Sequence, residues 1–524
     1  MSEKLTEIAG EAARGGFSIF AGNALSTIIQ ATGSIIVARL LGPEAYGLYA
    51  LSIVVPGLLL LFTDFGVSTA VTRFSAKLRA EGKASQAASM LRSAILFKLL
   101  TSMTMFTLCF FLSERIAAQL LNRPGIDLLV RFVALSIPFQ AVFITASSAF
   151  QGLDRMQDSA LTLNIQSIVK AVSAPVLVFL GLGAIGALTG YVLGYVAAGT
   201  SALAILFIKH YRRLRGAEKM DRLGENLKVL MGYGLPLYAS GLLGSLLAQY
   251  QSIILAQLTS NIDIGNLNVA MQFATLIGVL TSPMTVLFPA FSKLNPEGRE
   301  AKRLYLLSVK YTALLIVPAA IAIAILSRDL IFAIYGPSYS LAPLLLSTYA
   351  INFLFSGIGS LVIGNFLSGA GETKLILKAN LVNLAVFAPL APVLILTYGV
   401  LGAVLAGLAS GLATLTYQLL AARKRLGVGS NPLASLKIYL ASILSAAPIL
   451  LFLQLSPFQG LANVIVGGSL FLLAYLTASP LLGAVRMSDI ENLKLILSRL
   501  KISRLLKPIL AYEAKLASTQ ASPA

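Results

Sequence analysis

The chain has 524 residues, 57% of them hydrophobic and only 12% charged, with a mean hydropathy of +0.84. That leaves too little charge to cover the surface of a soluble domain of this length. A formal charge of +19, from 40 basic and 21 acidic residues, would suggest nucleic acid in a soluble protein. Here the cations gather in particular connections, which the positive-inside rule explains, and no nucleic-acid partner is expected.

The start, residues 1–16, is polar and mixed in charge. The apolar segment after it lacks a small-residue cleavage site and reads as a retained first helix. Apolar runs of about 20 residues then recur to the end, each long enough to cross a hydrocarbon core of about 30 Å. The ten-residue alternation of a membrane β-barrel is absent. The expected spans are 17–40, 47–71, 90–112, 128–150, 158–180 and 184–208; then 230–256, 265–290, 305–326, 340–367, 373–397 and 401–421; and finally 435–455 and 459–483. The fold class is therefore all-α, a polytopic membrane protein of about fourteen helices. Its divisions are a six-helix lobe (1–208), a basic linker (209–229), a second six-helix lobe (230–425), two added helices (435–483) and a basic tail (484–524).

Basic residues crowd Arg73–Arg92, Lys209–Lys228, Lys293–Arg303, Arg423–Lys437 and the tail after Arg486. The alternate connections carry only scattered cations such as Arg39, Arg115, Arg123, Arg131 and Arg328. With an even number of spans, both termini fall on the crowded side, the cytoplasmic face of the cell membrane. Residues 209–228 read as a solvated connector or an amphipathic segment. In the tail, Ile490, Leu493, Leu497 and Leu500 share a helical face beside Lys494, Arg499, Lys501 and Arg504. An interfacial helix and a solvated tail are both open for it.

The chain repeats itself. Gln151–Ala187 returns as Ser368–Ala403, with Gly152 matching Gly369 and Ala174-Pro175-Val176-Leu177 matching Ala391-Pro392-Val393-Leu394, both at an offset of 217. Ala38-Arg39-Leu40 followed by Gly47 is echoed by Ala256-Gln257-Leu258 followed by Gly265, at 218. Such a period marks an internal duplication. Six spans per repeat give two halves of the same orientation, the parallel-repeat plan of many secondary transporters, whose substrate path runs between the halves. Prolines within the runs, among them Pro56, Pro175, Pro236, Pro283, Pro318, Pro389 and Pro392, permit bending.

Enzyme chemistry finds little to work with. One cysteine, Cys109, excludes an intrachain disulfide, and the one histidine, His210, stands in a basic loop without metal-ligand company. Gly82-Lys83 and the stretch Gly369–Lys374 have the wrong frame for a phosphate-binding loop. No enzyme activity and no cofactor are expected, and a coupling ion is left open. What remains is polar residues inside apolar helices, which are costly there and point to function. Asn23, Thr27, Gln30 and Ser34 form one stripe on the first helix. Gln166 and Lys170 share a face of the fifth, with Lys170 near mid-span. The repeat-related helix offers Asn380 and Asn383; the seventh and eighth carry Gln249, Gln251, Gln257, Asn268 and Gln272. These residues suit either a hydrophilic cavity, with Lys170 offering charge to an anion, or hydrogen bonding between helices. Lys98, Lys310 and Lys378 lie nearer the inner ends and are expected to reach out to the surface. Asp64 is the main deep carboxylate, and Arg73 or Arg155 is its expected ion-pair partner. So few acids suit an anionic or sugar-bearing substrate better than an organic cation.

The run from Val37 to Ala50 (VARLLGPEAYGLYA) resembles the signature that follows the first helix of Wzx-like polysaccharide-export flippases. These belong to the multidrug/oligosaccharidyl-lipid/polysaccharide exporter superfamily. Asp64-Phe65-Gly66 with Arg73, Gly234-Leu235-Pro236, Gly265 through Pro289, Tyr335-Gly336 and Gly399 through Ala403 also resemble its pattern, over about residues 15–425. The resemblance implies a fourteen-helix, MATE-like exporter. Such a protein moves polyprenyl-phosphate- or -pyrophosphate-linked glycans to the outer leaflet, alongside glycan assembly enzymes, for surface polysaccharide or glycoprotein. It also implies that cavity cations meet the lipid phosphate, a role falling here on Lys170, with Arg39 and Arg73 behind it. Many relatives carry an aspartate in the seventh helix where this chain reads Tyr250-Gln251-Ser252, which puts ion coupling at that position in doubt. Two other readings stay open. A small-molecule antiporter of the same architecture is opposed by the missing acids. A membrane glycosyltransferase or polymerase is opposed by outer connections, Ser113–Leu128 and Ser327–Ser340, that are short and acid-poor.

Overall fold

In the computed structural model the protein is helical throughout the described residues, which are 3–211, 223–281, 291, 294–429, 431–456, 458–498 and 503–521. Most of the expected linker and the end of the eighth expected span lie outside them. Contacts divide the chain into two compact units, Met1–Asn268 and Val269–Ala524.

The first unit begins with α1 (Glu3–Asp64), which is two helices meeting at Gly42. Gly42 adopts φ 71°, ψ 173°, and Pro43 follows it. A glycine reaches that region without a Cβ clash, and a proline N-terminal to a new helix gives up no needed N–H. The part from Gly22 to Asp64 is 43 residues long, about 65 Å if straight and twice the hydrocarbon thickness. It is not straight: the Ser34 hydroxyl lies 3.0 Å from that of Tyr46, twelve residues on. The expected span 17–40 falls in the first of these segments; the expected span 47–71 begins in the second but runs past its end at Asp64. A second break at Phe65 (φ 45°) and Gly66 (φ 78°) leads into α2 (Val67–Ala80), followed by α3 (Ala84–Arg115).

After α4 (Asp127–Ala134) and α5 (Ser136–Gly152) comes a tight hairpin of α6 (Met156–Leu177) and α7 (Gly183–Ile205), reversed around Gly181 and Gly183. α8 (Leu223–Leu258) and the start of α9 (Asn261–Thr281) complete the unit. Small residues set its geometry. A Cβ on Gly22 would fall 2.6 Å from the Ala160 Cβ, and one on Gly33 would fall 2.6 Å from the Ala171 Cα. Both pairs advance by eleven residues, so α1 and α6 run parallel in close contact. The Arg123 guanidinium, in the α3–α4 connection, donates to the carbonyls of Ala256 (3.1 Å) and Thr259 and to Asn261 Oδ1 (2.6 Å). It thereby satisfies carbonyls that the end of α8 leaves open.

The second unit contains α10 (Arg299–Ile334), the bent pair α11 (Ala342–Leu354) and α12 (Ser360–Gly369), and the hairpin of α13 (Thr373–Tyr398) and α14 (Val400–Leu426). This hairpin turns at Gly399 (φ 59°), so the two sequence echoes, Gln151–Ala187 and Ser368–Ala403, form matching hairpins. α15 (Pro432–Leu444), α16 (Ala446–Leu455) and α17 (Leu461–Leu481) follow, then α18 (Met487–Ser498) and α19 (Ser503–Ala521). The tail is more than a solvated strand of charge: Ile490 is buried with Val485, Leu510 and Ala517, and Thr477 meets the Tyr512 hydroxyl at 2.9 Å. Arg499, Leu500 and Lys501 lie outside the described residues, as do the side chains of Leu493, Lys494, Leu497 and Arg504.

Among the described residues nine helices are long and apolar enough to cross a membrane, or eleven with each bent pair as one span. The over-long segments Gly22–Asp64 and Met156–Lys209 each hold one further reversal. Of the expected span 265–290, only the part to Thr281 is described. The compact boundary at Asn268 lies beyond the linker at 209–229 that the sequence repeat suggested, because α8 packs on α1, α2 and α3.

Candidate functional site

The close approach of α1 and α6 brings their polar residues together in the first unit. Ser26 and Gln30 stand one turn apart on α1, opposite Gln166 and Ser167 on α6. The Ser26 and Ser167 hydroxyls are 2.6 Å apart. The Gln30 amide nitrogen donates to Ser26 Oγ (3.0 Å), Ser167 Oγ (3.0 Å) and, at longer reach, Gln166 Oε1 (3.4 Å). Gln166 and Ser167 are buried, so each of these groups depends on the others for a partner.

Lys170 follows one turn beyond Gln166. Gly194 on α7 permits its placement: a Cβ there would sit 3.0 Å from the Lys170 Cβ and 3.1 Å from the Gln166 carbonyl. With α7 so close, the Lys170 ammonium lies over the Tyr191 ring, 5.4 Å from its centroid. Tyr191 packs edge-on against Tyr195 at 5.0 Å, and its hydroxyl accepts a 3.2 Å hydrogen bond from Gln140 on α5, which also donates to Ser136 at 2.8 Å. Lys170 is half-buried and makes no ion pair among the described residues. A cation–π contact of about 1–2 kcal/mol offsets only part of the cost of a cation at mid-span. An anion brought to this position would offset the rest.

The other expected site residues divide. Asn23 is exposed and stands apart from the cluster; its carbonyl accepts from the Thr27 hydroxyl at 2.8 Å. Arg39 is exposed near the Gly42 break. Arg73 on α2 stacks over the Tyr233 ring at 4.0 Å, against α8 and away from Lys170. In the second unit the Asn383 amide donates to Thr414 Oγ1 at 3.1 Å, binding α13 to α14, and Gln272 accepts from the Tyr335 hydroxyl at 2.7 Å. Asn380 and Gln251 are half-buried, with no hydrogen bond from their side chains among the described residues.

The charges differ from expectation at three places. Asp64 pairs with neither Arg73 nor Arg155; its carboxylate meets Lys98 Nζ at 2.7 Å. Lys98 is 1% exposed and does not reach out to the surface, because α3 packs it inward at the level of the Asp64-Phe65-Gly66 break. Lys310 is likewise held by Asp489 at 2.5 Å. Lys378 is exposed, as expected. Sequence reasoning passed over Tyr191, Tyr195 and Gln140. The four-residue spacing of the two tyrosines, one helical turn, was the available signal. Among the described residues no three His, Cys, Asp or Glu come together to hold a metal ion.

The family model for "Polysaccharide biosynthesis protein" matches residues 12–295, a stretch that includes all of this cluster. The "Probable low-salt glycan biosynthesis flippase Agl15" of Haloferax volcanii is 23% identical over 400 residues, covering 75% of this chain and 80% of that protein. Among solved structures, the lipid II flippase MurJ in an inward closed conformation superposes with a TM-score of 0.71 at 17% identity, over 88% of this chain and 97% of that one. An inward-facing multidrug resistance MATE family transporter of the MOP superfamily gives 0.60 at 17% identity, over 77% and 94%. At these identities the structures show a shared fold, that of the MATE-like exporters.

Proposed function

The chain belongs to the polysaccharide biosynthesis protein family, and from that premise we propose that it is a flippase for a polyprenyl-phosphate- or -pyrophosphate-linked oligosaccharide. It carries the glycan from the cytoplasmic to the outer leaflet by alternating access. Both termini lie on the cytoplasmic side, where the basic connections are. A glycan headgroup crossing hydrocarbon unaided would lose hydration at many hydroxyls, at several kcal/mol each in order of magnitude. The protein supplies polar groups in its place.

The observation that carries this reading is Lys170: a mid-span cation with no carboxylate partner among the described residues, set beside hydrogen-bonded amides and hydroxyls and over an aromatic ring. The ammonium meets the lipid phosphate, and the buried Tyr191 ring holds the ammonium in place. Arg73, stacked on Tyr233, takes no part in that contact.

The test is transfer of a fluorescent polyprenyl-pyrophosphoryl oligosaccharide between leaflets of proteoliposomes, wild type against Lys170→Ala and Lys170→Arg. Transfer that collapses in the alanine variant and survives in the arginine variant is the expected result. Transfer indifferent to both changes moves the phosphate contact elsewhere. No transfer by the wild type, with proton-coupled efflux of an organic cation from the same vesicles, would hand the function to an antiporter of the same fold.

A further inference from the structure

A second concentration of charge lies wholly in the second unit. A cavity of about 490 Å³ opens where the first three turns of α10 meet the α11–α12 break, the start of α15 and the segment before α18. Five cations line it: Arg299, Lys302, Arg303 and Lys310 from α10, and Arg486. Asp489 is the one acid among the lining residues. It is already committed, since its carboxylate holds Lys310 at 2.5 Å and accepts from the Arg486 backbone N–H at 2.8 Å. Arg299, Lys302, Arg303 and Arg486 make no ion pair among the described residues. Lys302 leans toward Gly427 at the C-terminal end of α14, where the helix dipole favours it. The three arginines are exposed. Like charges so gathered repel one another, and an anion among them removes the repulsion.

Arginine forks favour phosphate over a simple point anion, because guanidinium N–H groups match its oxygens in pairs. Depth separates the sources of that phosphate. From Arg299 to Lys310 the cavity follows α10 for about 16 Å, whereas a headgroup layer is only about 5–8 Å thick. Its lining also includes the apolar side chains of Leu306, Leu307, Val309 and Ile358. A cavity that sets apolar side chains among its cations over that length fits a molecule whose phosphate is tethered to acyl chains.

We propose that this cavity seats the headgroup of an anionic phospholipid from the leaflet on the side of the basic connections. The lipid bridges α10, α15 and the segment leading to α18, and so fastens the C-terminal helices to the rest of the second unit. The site is independent of Lys170, which stands in the other unit.

The test uses the purified full-length protein, with retained lipid counted by native mass spectrometry. Dioleoyl-phosphatidylglycerol, dioleoyl-phosphatidylcholine and glycerol 3-phosphate are titrated separately. Wild type is expected to retain phosphatidylglycerol over phosphatidylcholine. The double variant Arg303→Ala/Arg486→Ala should lose about thirtyfold in affinity for it, while Arg425→Ala, whose side chain pairs with Glu372 outside the cavity, changes nothing. Should the double alanine variant not fold, Arg303→Lys/Arg486→Lys and Lys302→Ala carry the comparison. The lysine pair is expected to keep charge attraction with weaker retention than wild type. Equal retention of the two lipids, or retention unchanged in every cavity variant, overturns the proposal. Glycerol 3-phosphate binding as tightly as phosphatidylglycerol overturns the lipid source in favour of a soluble phosphate.

Discussion

The ammonium of Lys98 on α3 lies 2.7 Å from the carboxylate of Asp64, where α1 ends, and Lys98 is 1% exposed. The same carboxylate accepts from the backbone N–H of Ser68 at 3.3 Å and from its hydroxyl. One half-buried acid thus joins the end of α1, the start of α2 and the middle of α3. Lys98→Met leaves Asp64 without its cation. We expect a loss of about 1–3 kcal/mol, read as a fall in melting temperature in detergent. The double change Lys98→Met/Asp64→Asn, which removes both charges, should recover most of it. A double variant as unstable as the single one would show that the pair does not act as a unit.

Gly66 separates a packing effect from a backbone effect. Its φ of 78° strains any other residue, and a Cβ there would run into the Gly234 backbone on α8. Gly82 has nearly the same φ, 70°, with open space around it. Gly82→Ala should cost about 1 kcal/mol, the backbone term alone. Gly66→Ala adds overpacking of about 1–3 kcal/mol. Comparing the two melting temperatures tests the contact between the α1–α2 break and α8, and equal shifts would contradict it.

Gln30 holds the α1–α6 contact through its single amide nitrogen. Gln30→Ala removes bonds to Ser26, Ser167 and Gln166. Each such interhelical bond contributes about 0.6 kcal/mol on average, so a loss of about 1–2 kcal/mol is expected. In a double-mutant cycle with Ser167→Ala the two effects should be less than additive. Strict additivity would mean that the two side chains do not meet.

The C-terminal helix should respond to pH. Glu513 on α19 is 6% exposed, and burial raises its carboxyl to about 7. In the undocked chain the group titrates near 4.3. Between those values the docked helix keeps the proton and the undocked chain does not, so stability falls as pH rises from about 4.3 to 7 and is flat above. The full span is worth about 3–4 kcal/mol at most. Hydrogen exchange of the α19 amides, corrected for intrinsic rates, should show protection rising on acidification through that window. Glu513→Gln should hold protection constant across it.

Much of the fold was legible because a bilayer constrains composition so strongly. Twenty apolar residues in a row have few other uses, and the hairpin glycines Gly181, Gly183 and Gly399 lie at the edges of the expected spans. The α1–α6 pairing was half legible: Gln30 and Gln166 were singled out as polar residues in apolar helices, but nothing in either helix said that they touch. Tyr191 and Tyr195 were not singled out, because their part in the cluster depends on α7 packing against α6.

The sequence by itself determined the class of the protein, the placement of most helices and the duplicated hairpin. Each follows from local composition or from a period, and both are properties of the chain alone. Only the tertiary structure decided which charges neutralise each other. Asp64 had two arginines as plausible partners, and the choice fell on Lys98, thirty-four residues away; Lys310 found Asp489 in the tail. An ion pair is fixed by distances of a few ångströms between helices, and those distances are set by small-residue contacts such as Gly33 with Ala171. Such contacts leave no trace in hydropathy, because glycine and alanine read the same wherever they face.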